Sequence, residues 1–326
     1  MGKMIDGTWR SDTWVRNEEG AFQRDPTTFR DSIGPGPQHP YEPQAGRYHL
    51  YVSYACPWAH RTLISRALLG LEDVIDVSVV HPHMLDEGWT FDTDFDHTTG
   101  DAILSKDFLR QIYAHADPQY TGRVTVPVLF DRHTETIVNN ESREIIRMFS
   151  TGFREFASSD LDLYPEGYRQ RIDDIIDAIY QPINNGVYRA GFATTQEAYN
   201  SAVSQLFEAL DHWNKHLQSN RYLAGDVLSE ADICLFTTLI RFDPVYYGHF
   251  KCNLRHVYEF DALWGHTKEI YQLPGVADTC HFDHIQGHYY YSHRSINPTQ
   301  VVPRGPILDR LDDPGRDHLP GALARR

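Results

Sequence analysis

Residues 51–71 read YVSYACPWAHRTLISRALLGL. Four strand-favouring residues lead towards a lone cysteine, Cys56; Pro57 follows at once, and a helix-forming run continues to Leu71. Proline is well placed in the first turn of a helix, where its missing N–H costs nothing. The stretch therefore puts Cys56 at an exposed strand-to-helix joint, whereas a cysteine used only as a small hydrophobe is commonly packed inside an element. At such a joint, backbone N–H groups and the helix dipole favour an anion. A thiol of ordinary pKa about 8.5 is lowered there by one to several units. A reactive thiolate is the expectation; a structural cysteine at a helix start is the plainer alternative.

Working outward, YHLYVSY reads as a strand, residues 57–71 as a helix and VIDVSVVHP (74–82) as a second strand, which together make a βαβ unit. VTVPVLF (124–130) is expected as a third strand, ETIVNN as a short fourth, and ESREIIRMFS as the start of another helix. Pro127 cannot donate to a sheet ladder, so it is expected as a cis-proline or bulge at the strand's head. Residues 83–122 are too long for an ordinary connection and read as a partly helical insertion. Beyond about residue 160 the apolar period becomes helical. Tyr199, Val203, Leu206, Leu210, Trp213 and Leu217 form one stripe, read as core. In SEADICLFTTLIRF (229–242), Ser229 and Asp232 read as a capping box rather than as catalytic residues.

The expected organisation is an extended, Gly- and Pro-punctuated arm over 1–46, an α/β domain over 47–160, an all-helical domain over 161–300 and an extended tail over 301–326. Hydrophobic residues make up 41% of the 326 and charged residues 23%, as in an ordinary globular protein. Neither an apolar run long enough for a membrane span nor a signal-peptide core is read. The net charge of −15 argues against a nucleic-acid partner. Arginine outnumbers lysine 25 to 5, which is ascribed to genome composition rather than to salt adaptation. Cys56, Cys234, Cys252 and Cys280 are widely spread with no CxxC pair, which points to a reducing, cytoplasmic compartment. No GxGxxG or phosphate-binding loop is present.

The ordered set of motifs resembles a known family. YACPWAHR (54–61), EGWTF around Trp89, RVTVPVLFD (123–131), NNESREIIRMF, YRAGFATTQ (188–196), RFDPVYYGHFKCN (241–253) and HYYYSHRSINPTQVVPRGP (288–306) are similar to the glutathione transferase superfamily. Within it they resemble the glutathionyl-hydroquinone reductases, the Xi class. The resemblance implies a thioredoxin-like α/β domain followed by an all-α transferase domain. It also implies glutathione as co-substrate with no metal or nucleotide, a homodimer, and glutathionylated hydroquinones as substrates.

Residue by residue, the resemblance implies Cys56 as nucleophile. Ala59 stands where a dithiol redox protein has its second cysteine, so the chemistry is expected to be monothiol, with an external thiol clearing the mixed disulfide. Glu141 and Ser142 begin a helix, where they cap it; in the family the matching pair also binds glutathione. Val126 is expected to pair backbone-to-backbone with the cysteinyl unit, and Arg123 and Trp89 to contact glutathione. Tyr188 is implied as proton donor to the leaving carbon, and Tyr246 and Tyr289 as hydrogen-bond partners of the thiolate. Tyr188, His288, Tyr289 and Tyr290 are implied to line the hydroquinone pocket. CHFDHIQGH places Cys280, His281, His284 and His288 at a spacing that could make a zinc face, which is set behind a structural use. An Omega-like thioltransferase or dehydroascorbate reductase, and a non-catalytic transferase-like binding module, are the rival readings.

Overall fold

Asp6 and Gly7 both have positive φ (46° and 73°), the requirement of a tight two-residue hairpin turn. They join β1 (Lys3–Ile5) to β2 (Thr8–Arg10). The structure is a computed structural model describing residues 2–11, 20–22 and 26–321. The remaining residues of the expected arm and of the tail lie outside the described residues.

The joint at Cys56 forms as the sequence demands. β3 (Tyr48–Val52), whose five residues are all buried, leads into α1 (Pro57–Leu69), and β4 (Asp76–Val79) returns parallel to β3. Every residue of α1 except Arg66 and Ala67 is buried, so this is an enclosed helix rather than one with an exposed face. It stops at Gly70, in the left-handed region at φ 61°, where a Cβ would come within 2.0 Å of the Ser158 hydroxyl. α2 (Leu109–Ala116) is the helical part of the 83–122 stretch. Much of the remaining local order comes from Asp101, whose carboxylate accepts from the amides of Ile103, Leu104 and Lys106 and from the Tyr51 hydroxyl. β5 (Val128–Asp131) and β6 (Thr136–Asn139) complete a sheet of order β4-β3-β5-β6, and α3 (Ser142–Thr151) packs on α1. The Val126–Pro127 bond is cis and precedes β5, so the proline stays out of the ladder.

The extended arm makes backbone contacts that its composition does not announce. Met4 exchanges backbone hydrogen bonds with Gly122 at 2.8 and 3.0 Å. Asp31 N–H donates to Val138, and Asn140 N–H to Phe29, each at 3.1 Å. The described arm thus covers the open edge of β6 and supplies partners for its unpaired backbone groups.

The helical part contains α4 (Arg169–Ile179), α5 (Gly186–Gly191), α6 (Gln196–Leu217), α7 (Glu230–Arg241) and α8 (Asp261–Tyr271). The α6 stripe is buried from Val203 to Leu217, while Tyr199 is partly exposed and donates to the Lys251 carbonyl. Ser229 and Asp232 form the capping box of α7. Asp232 does more than cap: it also accepts from Leu223 N–H at 2.8 Å and His266 Nε2 at 3.0 Å.

Chain contacts divide the molecule into two units, one of Met1–Trp14, Arg24–Ser159 and Thr279–Val302, the other of Val15–Gln23, Asp160–Asp278 and Pro303–Arg326. The expected helical domain over 161–300 therefore gives up its last stretch. α9 (Phe282–Gln286) and the π-type turn Gly287–Tyr291 belong with the sheet, because His284 and His288 donate to the carbonyls of Asp96 and Pro82. The tail is extended yet docked on the helical unit. Arg316 is buried; it pairs with Glu269 at 2.8 Å and donates to the carbonyls of Leu217, Ala262 and Asn220. No described helix is long and apolar enough to cross a membrane.

Asp131 gives the sheet a measurable signature. Burial opposes its ionisation, but paired bonds from Arg47 at 2.8 and 2.7 Å, with Thr134 and the His133 amide, bring its pKa down to about 2. Its contribution is fully present above the ordinary carboxylate pKa and is lost as pH falls towards 2. Asp131→Asn should lower unfolding free energy by about 2 kcal/mol at pH 5–7, with the gap to wild type closing as pH drops below about 4. Urea unfolding across that range checks it; a gap that persists undiminished below pH 4 would contradict it.

Candidate active site

Cys56 is the N-cap of α1, in extended backbone geometry (φ −77°, ψ 121°), and its side chain takes no part in capping. Its N–H donates to Ser53 and its carbonyl accepts from His60, so the backbone closes the turn without help from sulfur. The thiol instead reaches across to β5's approach, where Sγ lies 3.5 Å from the Val126 carbonyl. Val126, expected to meet the cysteinyl unit through its backbone, thus stands beside the candidate nucleophile, just ahead of the β5 ladder.

The second helix start lies in the same unit. Glu141 caps α3, accepting from the Arg143 amide at 3.3 Å, while its own N–H donates to Asn139 Oδ1 at 2.7 Å. Thr27 of the arm donates to the other carboxylate oxygen at 3.3 Å. Ser142 is buried, donates to Glu141 Oε1 at 3.5 Å and accepts from Arg61 Nη1 at 3.4 Å. Capping and an anion-attracting amide cluster therefore coincide at one place.

Trp89 and His288 stack, with ring centroids 4.7 Å apart and planes 21° from parallel. Tyr289 is buried and meets the rings of His288 and His293 edge-on, each at 5.3 Å. Tyr290 is partly exposed, as is Arg123, whose carbonyl accepts from the Tyr120 hydroxyl. Tyr188 and Tyr246 belong to the helical unit, where they approach each other at 6.0 Å. Tyr246 is fully buried and stacked on Phe250, while Tyr188 is partly exposed and also neighbours Phe22 of the arm.

The four residues with the spacing of a zinc face are spent separately. Cys280 Sγ lies 3.7 Å from His60 Nε2, and His281 packs on Tyr54. His284 and His288 donate to backbone carbonyls. Among the described residues, no group of three or more His, Cys, Asp or Glu is placed to hold a metal. All four cysteines are thiols, and they differ sharply in setting. Cys56 and Cys280 are partly exposed, Cys234 and Cys252 are buried, and burial pushes the Cys252 thiol far up.

Sequence reasoning overlooked Arg61, Thr27 and Asn139. Arg61 was within reach, since an arginine one helical turn past Pro57 on an enclosed helix must find polar company. Asn139 was within reach too, because it lies two residues ahead of Glu141 and accepts its N–H as a local Asx turn does, whereas Thr27 acts through a chain approach that no local pattern encodes.

Comparison with known proteins adds relatives to this geometry. The family description "Glutathione S-transferase, N-terminal domain" matches residues 55–151, and "Glutathione S-transferase, C-terminal domain" matches 196–269. The Escherichia coli K12 protein named glutathionyl-hydroquinone reductase YqjG is 52% identical over 326 residues, covering 97% of this chain and 99% of that protein. Its glutathione-bound structure has a TM-score of 0.89 at 48% identity, covering 97% of this chain and 99% of the other. The Xi class transferase from Natrialba magadii reaches 0.93 at 53% identity, covering 99% and 98%.

The settings of the thiols order their reactivity. Brief treatment with iodoacetamide at neutral pH should modify Cys56 and spare Cys234 and Cys252 until the protein unfolds, as read by peptide mass spectrometry. Modification of Cys252 ahead of Cys56 would contradict the ordering.

Proposed function

We propose that this chain, which belongs to the glutathione S-transferase family and within it to the Xi-class glutathionyl-hydroquinone reductases, reduces S-glutathionyl-hydroquinones to free hydroquinones. It is an oxidoreductase that binds glutathione as co-substrate. The observation that carries the reading is a partly exposed cysteine at a helix start, 3.5 Å from the Val126 carbonyl, with Ala59 in place of a resolving cysteine.

The reaction runs in two exchanges. Cys56 thiolate attacks the sulfur of the conjugate, forming a Cys56–glutathione disulfide. The bond between sulfur and ring carbon breaks, and its electron pair leaves with the carbon, which is stabilised by the keto tautomer of the ring. That carbon takes a proton and becomes hydroquinone. A glutathione thiolate then attacks the disulfide, giving oxidised glutathione and restoring Cys56. In this scheme Tyr188 gives the proton, and Tyr246 and Tyr289 donate hydrogen bonds to the thiolate, favouring its charged form. Glu141 takes the γ-glutamyl ammonium, while Ser142 and the α3 amides take the adjoining carboxylate. Val126 pairs with the cysteinyl backbone, and Trp89 and Arg123 hold the remainder of the tripeptide. His288 and Tyr290 position the ring hydroxyls. The working form in this proposal is a cytoplasmic homodimer.

Cys56→Ser should abolish turnover without loss of folding, and wild type given one equivalent of conjugate should carry one glutathionyl unit on Cys56 by mass spectrometry. An adduct found only on another cysteine would overturn the assignment. Tyr188→Phe should lower kcat roughly 100-fold, the scale of a lost general acid, with glutathione affinity nearly unchanged. Full turnover in that variant would leave the scheme without its acid.

A further inference from the structure

Arg61 is 2% exposed and lies on α1, the helix that starts beside Cys56. A guanidinium so deeply placed is costly unless polar or aromatic partners receive it. Its carbon sits 4.4 Å from the Trp58 ring centroid, a cation–π contact one turn back along the helix. Its Nη1 donates to Ser142 Oγ at 3.4 Å, and Ser142 donates to Glu141 Oε1 at 3.5 Å. The donors all point one way, from Arg61 through Ser142 to Glu141. A hydroxyl oxygen that accepts from an arginine, which has no acceptor of its own, must act as donor with its one proton, here given to Glu141 Oε1 and transferable to a bound carboxylate. Ser142 is thereby fixed as a donor at the mouth of α3, with a permanent positive charge behind it.

We infer that Arg61 is a positioning residue that makes the start of α3 selective for the α-carboxylate of a γ-glutamyl thiol. It need not touch the ligand. It orients Ser142 to donate and adds its charge to the partial charge of the helix N-terminus. The inference rests on the reading that Ser142 and the α3 amides hold that carboxylate.

The test compares two ligands that differ only there. Glutathione has the carboxylate; γ-aminobutyryl-cysteinylglycine keeps the ammonium, thiol and glycine ends and lacks it. Affinities of wild type, Arg61→Met, Arg61→Lys and Ser142→Ala are measured for both by calorimetry, with thermal melting as a folding check. Arg61→Met should weaken glutathione roughly 10- to 100-fold, the range for a hydrogen-bonded charge, and leave the analogue nearly unchanged. Arg61→Lys, which keeps the charge but not the planar fork, should recover part of the loss. If the methionine variant melts below the assay temperature, Arg61→Gln serves in its place with the same selective loss expected. Equal losses for both ligands would reduce Arg61 to a structural role and overturn the inference, as would undiminished glutathione affinity. Should Ser142→Ala bind glutathione as tightly as wild type, the reading of Ser142 itself fails. Should Ser142→Ala weaken binding while Arg61→Met does not, only the role of Arg61 fails.

Discussion

A sulfur free of capping duty at the head of a helix is the constraint on which the first unit turns. Pro57 fixes where α1 begins, since it suits a first turn and not a helix interior. Cys56 must then be the N-cap, and its backbone alone satisfies the turn through Ser53 and His60. The thiol faces the Val126 carbonyl at 3.5 Å, just before the β5 strand enters its ladder. The burial of β3 and α1, the stop at Gly70 and the parallel return of β4 keep this joint in place.

The parts of the fold written in short-range chemistry were legible. Runs of strand-favouring residues found β3 and β4, the 3.6 period found α4 and α6, the Ser229–Asp232 box marked α7, and Pro127 marked the head of β5. What escaped was long-range. The arm reads as extended from its glycines and prolines, yet its backbone serves the edge of β6, where the Asp31 N–H donates to Val138 and the Phe29 carbonyl accepts from Asn140. The tail reads as extended, and is, but one arginine, Arg316, joins it to Glu269 and to carbonyls at the end of α6. Both effects need a partner from far along the chain, which composition cannot name. The segment from Thr279 to Val302 follows a helical stretch in sequence but sides with the sheet, because its histidines find carbonyls there.

The site divides along the same line. Cys56, Glu141 and Ser142 announce themselves by position at helix starts, and the resemblance supplied Trp89, Arg123, Val126 and the tyrosines. The stack of Trp89 on His288 joins residues about two hundred positions apart and is invisible locally. Asp232 reads from sequence as a cap, and it is a cap with further duties, since four bonds to Ser229, Leu223 and His266 occupy its two oxygens. A buried carboxylate so fully engaged has structural work and no lone pair to spare for a substrate.

The central claim is that Cys56 attacks sulfur and that the ring carbon leaves with the electrons. A conjugate carrying heavy isotope in its glutathionyl half, turned over in deuterium oxide with unlabelled glutathione, tests both parts at once. The account predicts oxidised glutathione labelled in one half only, and hydroquinone bearing one deuterium at the carbon that held sulfur. Release of labelled free glutathione together with an aryl group on Cys56 would mean attack at the ring, and would contradict it.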